Sequence, residues 1–246
     1  MKMHSSRITP EMTGDEISLL GWATDNSSYI CSLYDRFALD LISTRRHQRA
    51  LYEKYMKSGA MFGDIEGEFL YLSMRDMQPS LVIEVGSGIT WSTSWLLRGL
   101  YDNGHGMLHS YDLVNQTHRI PDELKPFWTF HEGDVREQTI PDGADFFLSD
   151  SDHREPFATN FMAKEFPKVR PGGRICVHDV YAIEFPAHGE AVAAFRYLNN
   201  LNIRCYSVSN CHSWYERIMS KRQEMGLGPH LIHYYDANAL LIFEVP

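Results

Sequence analysis

From residue 81 onward, short apolar runs alternate with stretches of helical spacing, and no other feature of the chain constrains its fold as strongly. The runs cover 81–85, 107–111, 128–131, 146–149, 174–177, 203–208 and 240–245, with helical stretches at 92–101, 156–168 and 189–201. A strand that returns through a helix pairs parallel, because a parallel return needs a long crossover while an antiparallel one needs only a tight turn. The pattern therefore predicts an α/β protein with a doubly wound, mostly parallel sheet. Ahead of it, apolar residues recur at helical spacing from about Asp15 to Tyr55, as in Leu33, Phe37 and Leu41, which predicts two or three helices. A further helix over 67–76 should end before Pro79. Residues 209–238, rich in His, Tyr and Met, are too many for a plain connection and predict a helical flap.

Composition narrows the partners. A chain of 246 residues can bury one full core, and 43% hydrophobic with 22% charged residues is ordinary for a globular protein. The formal net charge of -9, with Arg45-Arg46 as the tightest basic cluster, disfavours nucleic acid, whose backbone needs clustered cations. A small neutral or cationic substrate is expected instead. Cys31, Cys176, Cys205 and Cys211 show no paired spacing and are too few for a disulfide framework. The start, Met1 to Pro10, lacks the apolar core of a signal peptide, and no apolar run nears the roughly 18 residues that span a bilayer. A cytoplasmic protein with no membrane partner is expected. A homo-oligomer, where one forms, is expected to use the N-terminal helices.

In open parallel sheets ligands bind at the carboxyl ends of the strands, so the residues there matter most. They are Glu84-Val85-Gly86-Ser87-Gly88, Asp112, Gly133-Asp134, Asp150-Ser151-Asp152-His153 and His178-Asp179. Gly86 and Gly88 allow a tight turn with a ligand against the backbone. The dinucleotide fingerprint wants a third glycine where this chain has Trp91, which disfavours a pyrophosphate cradle. Asp112, ending the second strand, stands where a carboxylate can accept both ribose hydroxyls. Taken singly, the glycines fit a mere turn and Asp112 an ordinary surface position.

The ordered set is more specific. E-V-G-S-G at 84–88, Y-D-L at 111–113, E-G-D-V at 132–135 and R-P-G-G-R-I at 170–175 resemble the successive motifs of class I S-adenosylmethionine-dependent methyltransferases. The resemblance covers about residues 66–246. It implies a Rossmann-like, seven-stranded, mostly parallel sheet with an antiparallel last strand, and a helical extension or lid over 1–65. By that resemblance Glu84, Gly86, Ser87 and Gly88 would border the methionine part of the cofactor, Asp112 the ribose and Asp134 the adenine. An acidic pocket also suits a sulfonium cation. Ile89-Thr90 departs from the family, many of whose members have another glycine there.

Asp150, Asp152, His153, His178 and Asp179 come from two strand ends and could hold a divalent metal with a histidine base beside it. The plainer alternative is helix capping, above all by Asp152 ahead of the helix near Pro156. The D-x-x-H spacing of Asp150 and His153, with His178-Asp179 after the glycine pair, resembles metal-dependent O-methyltransferases of the catechol and natural-product types. The resemblance implies Asp150 and Asp179 as ligands of Mg²⁺ or Mn²⁺ and His153 as the general base, with Asp150 also near the cofactor. His178 falls where the family usually has an acidic or amide ligand, and imidazole suits Mn²⁺, Fe²⁺ or Zn²⁺ better than Mg²⁺. Either it is a ligand, or Asp152 or water completes the shell. The competing readings are a metal-independent N- or O-methyltransferase of the same fold and a non-catalytic cofactor-binding assembly partner. His188, His212, His230 and His233, with Trp214, Tyr215, Tyr234 and Tyr235, would overhang the site. Packing is the simpler role for each of these, as for Met56, Met61 and Phe62.

Overall fold

The computed structural model describes residues 23–57, 60, 62–180, 189–208, 213–227, 230, 232 and 240–246. Its helices are α1 (Ser27–Arg36), α2 (Ala38–Leu51), α3 (Asp64–Met77), α4 (Trp91–Asn103), α5 (Glu155–Glu165), α6 (Glu190–Leu201) and α7 (Tyr215–Glu224). Its strands are β1 (Leu81–Val85), β2 (Met107–Asp112), β3 (Trp128–Glu132), β4 (Ala144–Ser149), β5 (Val169–Val177), β6 (Tyr206–Ser207) and β7 (Leu241–Glu244). They form one seven-stranded sheet in the order β3-β2-β1-β4-β5-β7-β6. β2 pairs parallel with β1 and β3, and β4 parallel with β5. β7 runs antiparallel to both β5 and β6, so the last strand alone reverses among these pairs. The expected architecture is the one observed.

The chain divides into two compact units, one of residues 27–139 and 216–234, the other of 140–215 with the residues at both chain ends. In the first, α1–α4 accompany β1–β3. In the second, all six residues of β4 are buried, as a parallel strand covered on both faces requires. Phe166 anchors that core, with Phe147 and Tyr197 edge-on at 5.6 and 5.4 Å. Met56 and Phe62 are buried core residues of the first unit, while Met61 lies outside the described residues. Among the described residues no helix is long and apolar enough to cross a membrane.

Three boundaries depart from the apolar pattern for identifiable reasons. The helix expected over 156–168 stops as an α-helix at Glu165 and closes with a 3-10 turn, Phe166–Lys168, because Pro167 has no N–H for the next helical bond. β5 begins ahead of residue 174, because Gly172 N donates to Val245 O at 2.8 Å and Val245 N to Gly173 O at 2.9 Å. β6 is only two residues long. Just before it, Thr24 N donates to Cys205 O at 2.8 Å, so a segment of the N-terminal chain covers that stretch of sheet edge.

A buried ionic network ties the helices of the first unit together. Glu68 on α3 is fully buried and accepts from Tyr34 Oη at 2.7 Å, from Arg222 Nε at 2.6 Å and Nη2 at 2.8 Å, and from Arg45. Arg45 also donates to Asp64 at 2.9 Å, and Asp64 accepts from Ile232 N at 3.0 Å. Helices α1, α2, α3 and α7 thus meet on one carboxylate. The expected flap is helical over α7, and its Arg222 stands 3.1 Å from His230 Nε2.

Candidate active site

The first unit builds a loop-and-carboxylate cradle. β1 ends in Gly86 and Gly88, whose φ values of 87° and 48° lie in the left-handed region that favours glycine, and Gly86 N donates to Tyr111 O at 2.9 Å. Asp112, at the end of β2, accepts from Gly88 N at 2.7 Å and lies 3.4 Å from Ser87 Oγ through the same oxygen, Oδ2. Its Oδ1 accepts from Val114 N at 3.0 Å. The glycine loop and Asp112, 24 residues apart, are therefore one structure. Nothing stands within 4 Å of where a Gly88 side chain would begin, so the cradle is open there. A ribose diol fits this donor and acceptor set.

Thr90 sits where the family often has glycine, and it adopts φ 70°, the left-handed conformation that glycine takes without strain. The loop keeps its path despite the substitution: Thr90 N closes the turn on Ser87 O at 2.6 Å. Trp91 turns inward, donating from Nε1 to Phe62 O at 3.1 Å.

Two of the expected cofactor residues are engaged elsewhere. Glu84 is fully buried, with Ser92 Oγ and Thr93 Oγ1 donating at 2.7 Å and Ser110 Oγ at 2.6 Å. Its carboxylate fastens the first turn of α4 to β1 and β2, where a negative charge is favoured by the helix N-terminus. Asp134 accepts from Arg136 N and Nε, both at 2.9 Å, and this pairing holds its carboxyl down at about 2.

The second unit gathers the chemistry-bearing groups. Asp150, His153 and Asp179 each offer a ligand atom, all within 4.8 Å of one another. Two carboxylates and an imidazole at that spacing fit a divalent ion. Asp179 holds its place with φ 55°, a left-handed conformation that aspartate tolerates better than most residues. His178 is not brought into the group. Only 2% exposed, it places Nδ1 3.2 Å from Asp150 Oδ1 and 3.4 Å from Asp179 Oδ1. Its backbone N donates to Ser149 O at 2.9 Å, continuing the β4–β5 pairing, and only the next residue turns outward. Asp152 is also outside the group. Its carboxylate accepts from Arg154 N at 3.0 Å and Nε at 2.8 Å, which pulls its pKa to about 2, and no side chain caps the start of α5.

The strand-end reading missed Glu190. This first residue of α6 is 3% exposed, and its Oε2 lies 2.7 Å from His153 Nδ1. On the other side of the ring, Nε2 is 3.4 Å from Asp179 Oδ2. Burial pushes Glu190 up to about 7, partly offset by His153, while the hydrogen bond to Glu190 raises His153 against the lowering effect of its own burial. The sequence signal was slight, because an acidic residue in the first turn of a helix is commonplace. His188, His212, His233, Tyr234 and Tyr235 lie outside the described residues. Trp214 donates to Ser207 O at 3.3 Å, so that aromatic packs on β6.

Residues 83–180 match the family model described as a methyltransferase domain. No curated protein matches the sequence. Among solved structures, the chain is similar to the O-methyltransferase TomG from Streptomyces achromogenes, involved in tomaymycin synthesis and solved with S-adenosylmethionine. That likeness has 14% identity, covers 82% of this chain and 90% of that one, and has a TM-score of 0.53. An O-methyltransferase from Bacillus cereus in complex with S-adenosylhomocysteine is similar at 13% identity, 82% and 90% coverage and a TM-score of 0.52. The matched residues run from β1 to just past Asp179, and so enclose the glycine loop, Asp112, Asp150 and His153. The chain thus shares the fold of these two O-methyltransferases, and its residues 83–180 resemble a methyltransferase domain.

Proposed function

We propose that this protein is an S-adenosylmethionine-dependent, divalent-metal-assisted O-methyltransferase acting on a small, hydroxylated, natural-product-like molecule. The observation that supports it best is the convergence of Asp150, His153 and Asp179, with His153 backed by a buried carboxylate. S-adenosylmethionine, when bound, would supply the methyl group, with the Gly86–Gly88 loop bordering its methionine part and Asp112, which that loop holds through Gly88 N, its ribose. Asp150 and Asp179 would hold a divalent cation, whose positive charge would favour ionisation of an acceptor hydroxyl. His153 Nε2 would take the proton of the acceptor hydroxyl, leaving the oxygen as the nucleophile toward the methyl group that the cofactor would supply. His178 orients the two carboxylates, the part that outer partners play at metal sites. The acidic balance of the chain, -9 in net charge, favours a small acceptor over nucleic acid, and TomG's part in tomaymycin synthesis agrees with that class.

Asp150→Asn and Asp179→Asn are each expected to abolish bound metal and the transfer of labelled methyl groups to a panel of hydroxylated small molecules. S-adenosylmethionine affinity should survive, because the glycine loop and Asp112 belong to other strands. A chelator should reproduce both variants, and added Mg²⁺ or Mn²⁺ should reverse the chelator. Full methyl transfer in excess chelator would establish the metal-independent reading instead.

A further inference from the structure

We propose that Glu190 is the positioning residue of His153: it holds the ring so that Nδ1 keeps its proton and Nε2 is left as the accepting nitrogen. The inference rests on the proposed role of His153 and adds a residue beyond the segment that matches the methyltransferase domain. An ionised carboxylate can only accept, so an imidazole nitrogen 2.7 Å from Glu190 Oε2 must be the one that donates. A neutral histidine free in water favours the other tautomer, with the proton on Nε2, and in that form Nε2 cannot take a proton. The Glu190 contact reverses this preference and aims Nε2 at the acidic cluster, where Asp179 Oδ2 is 3.4 Å away.

The backbone is shaped for this contact. Glu190 N donates to His153 O at 2.8 Å, so residues 37 apart are tied through both main chain and side chain. The approach is so close that a β-carbon on Gly189 would lie 2.2 Å from His153 O. Gly189 also adopts φ 60° and ψ -130°, a conformation essentially reserved for glycine. The second carboxylate oxygen, Oε1, is 3.4 Å from Ser149 Oγ at the end of β4, so the carboxylate is seated at both ends. Helix α6 therefore begins where it does in order to bring one acid against one imidazole.

The test uses the full-length protein with 15N-labelled histidine at alkaline pH, where the ring is neutral. The His153 signals are assigned by their loss in His153→Ala. The wild type is expected to show the Nδ1–H tautomer. Glu190→Gln keeps the size of the side chain but brings an amide NH2 that can donate to Nδ1, so the ring should shift toward Nε2–H. The same variant should lose about 10- to 100-fold in kcat, with KM for both substrates changed less than twofold. Glu190→Asp, which keeps a carboxylate, should recover part of both the tautomer and the rate. An Nε2–H ring in the wild type would overturn the proposal, as would a Gln variant matching the wild type in tautomer and kcat. If the wild type shows the Nδ1–H ring yet methylates no hydroxyl, the O-methyltransferase reading fails while the Glu190 tie stands.

Discussion

His153→Ala is expected to lower kcat by about 10²–10⁴, the usual contribution of a positioned general base, while metal and S-adenosylmethionine affinities stay close to those of the wild type. The ring stands between Glu190 on one side and Asp179 on the other, so its removal takes away the proton acceptor and leaves both carboxylates in place. The pH dependence carries a sign. The hydrogen bond that His153 donates to Glu190 raises its pKa above the ordinary 6.5 in spite of burial, and a base works only unprotonated. The wild-type kcat should therefore climb with pH through a value on the alkaline side of 6.5, and a bound cation should move that limb back toward lower pH. The limb should vanish in the variant. Since His153 also belongs to the group that fits a metal, a variant that loses its metal would make His153 a ligand and not the base.

Glu68→Gln should cost about 3–5 kcal/mol of stability, the loss found when one partner of a buried ion pair is removed. For a chain of this size that lowers Tm by on the order of 10 °C. The substitution preserves volume but leaves Arg222 buried opposite a neutral amide, and it weakens the junction of α1, α2, α3 and α7. Burial alone would raise the Glu68 pKa, yet the hydrogen bonds and charge of Arg222, with Arg45 and Tyr34, bring it below its ordinary value. A depressed carboxylate contributes stability that is complete above the unfolded-state value of about 4.3 and is lost as pH falls through the folded one. The gap in Tm between wild type and variant should thus be full near neutrality and narrow in acid below about pH 4. Thermal melts across that range measure it, and a gap independent of pH would show that Glu68 acts through packing alone.

The alternation of apolar runs made the sheet legible because parallel strands need crossover helices. The short motifs placed the glycine loop and Asp112 for a related reason: glycine at positive φ and an acid at a strand end have few other uses together. Strand-end reasoning was blind to side-chain direction. It grouped His178 with Asp179, and a backbone turn to φ 55° at Asp179 follows a buried imidazole with a less buried carboxylate. It gave no sign that Glu84, expected to border the methionine part, would have three hydroxyls on its carboxylate. Glu190 was invisible because it starts a helix and reaches His153 only through tertiary packing, with no periodicity to mark it. Its companion Gly189 was the available signal, though a glycine ahead of a helix usually means only a turn.

The account depends first on the cradle formed by Gly86, Gly88 and Asp112, and calorimetric titration of S-adenosylmethionine into the wild type and Asp112→Ala tests it most directly. One saturable site per chain is predicted in the wild type. The variant, folded as judged by circular dichroism, should bind at least about tenfold more weakly, equivalent to about 1.4 kcal/mol. Equal affinity in the two proteins, or tight binding of NAD by the wild type in place of S-adenosylmethionine, would contradict it.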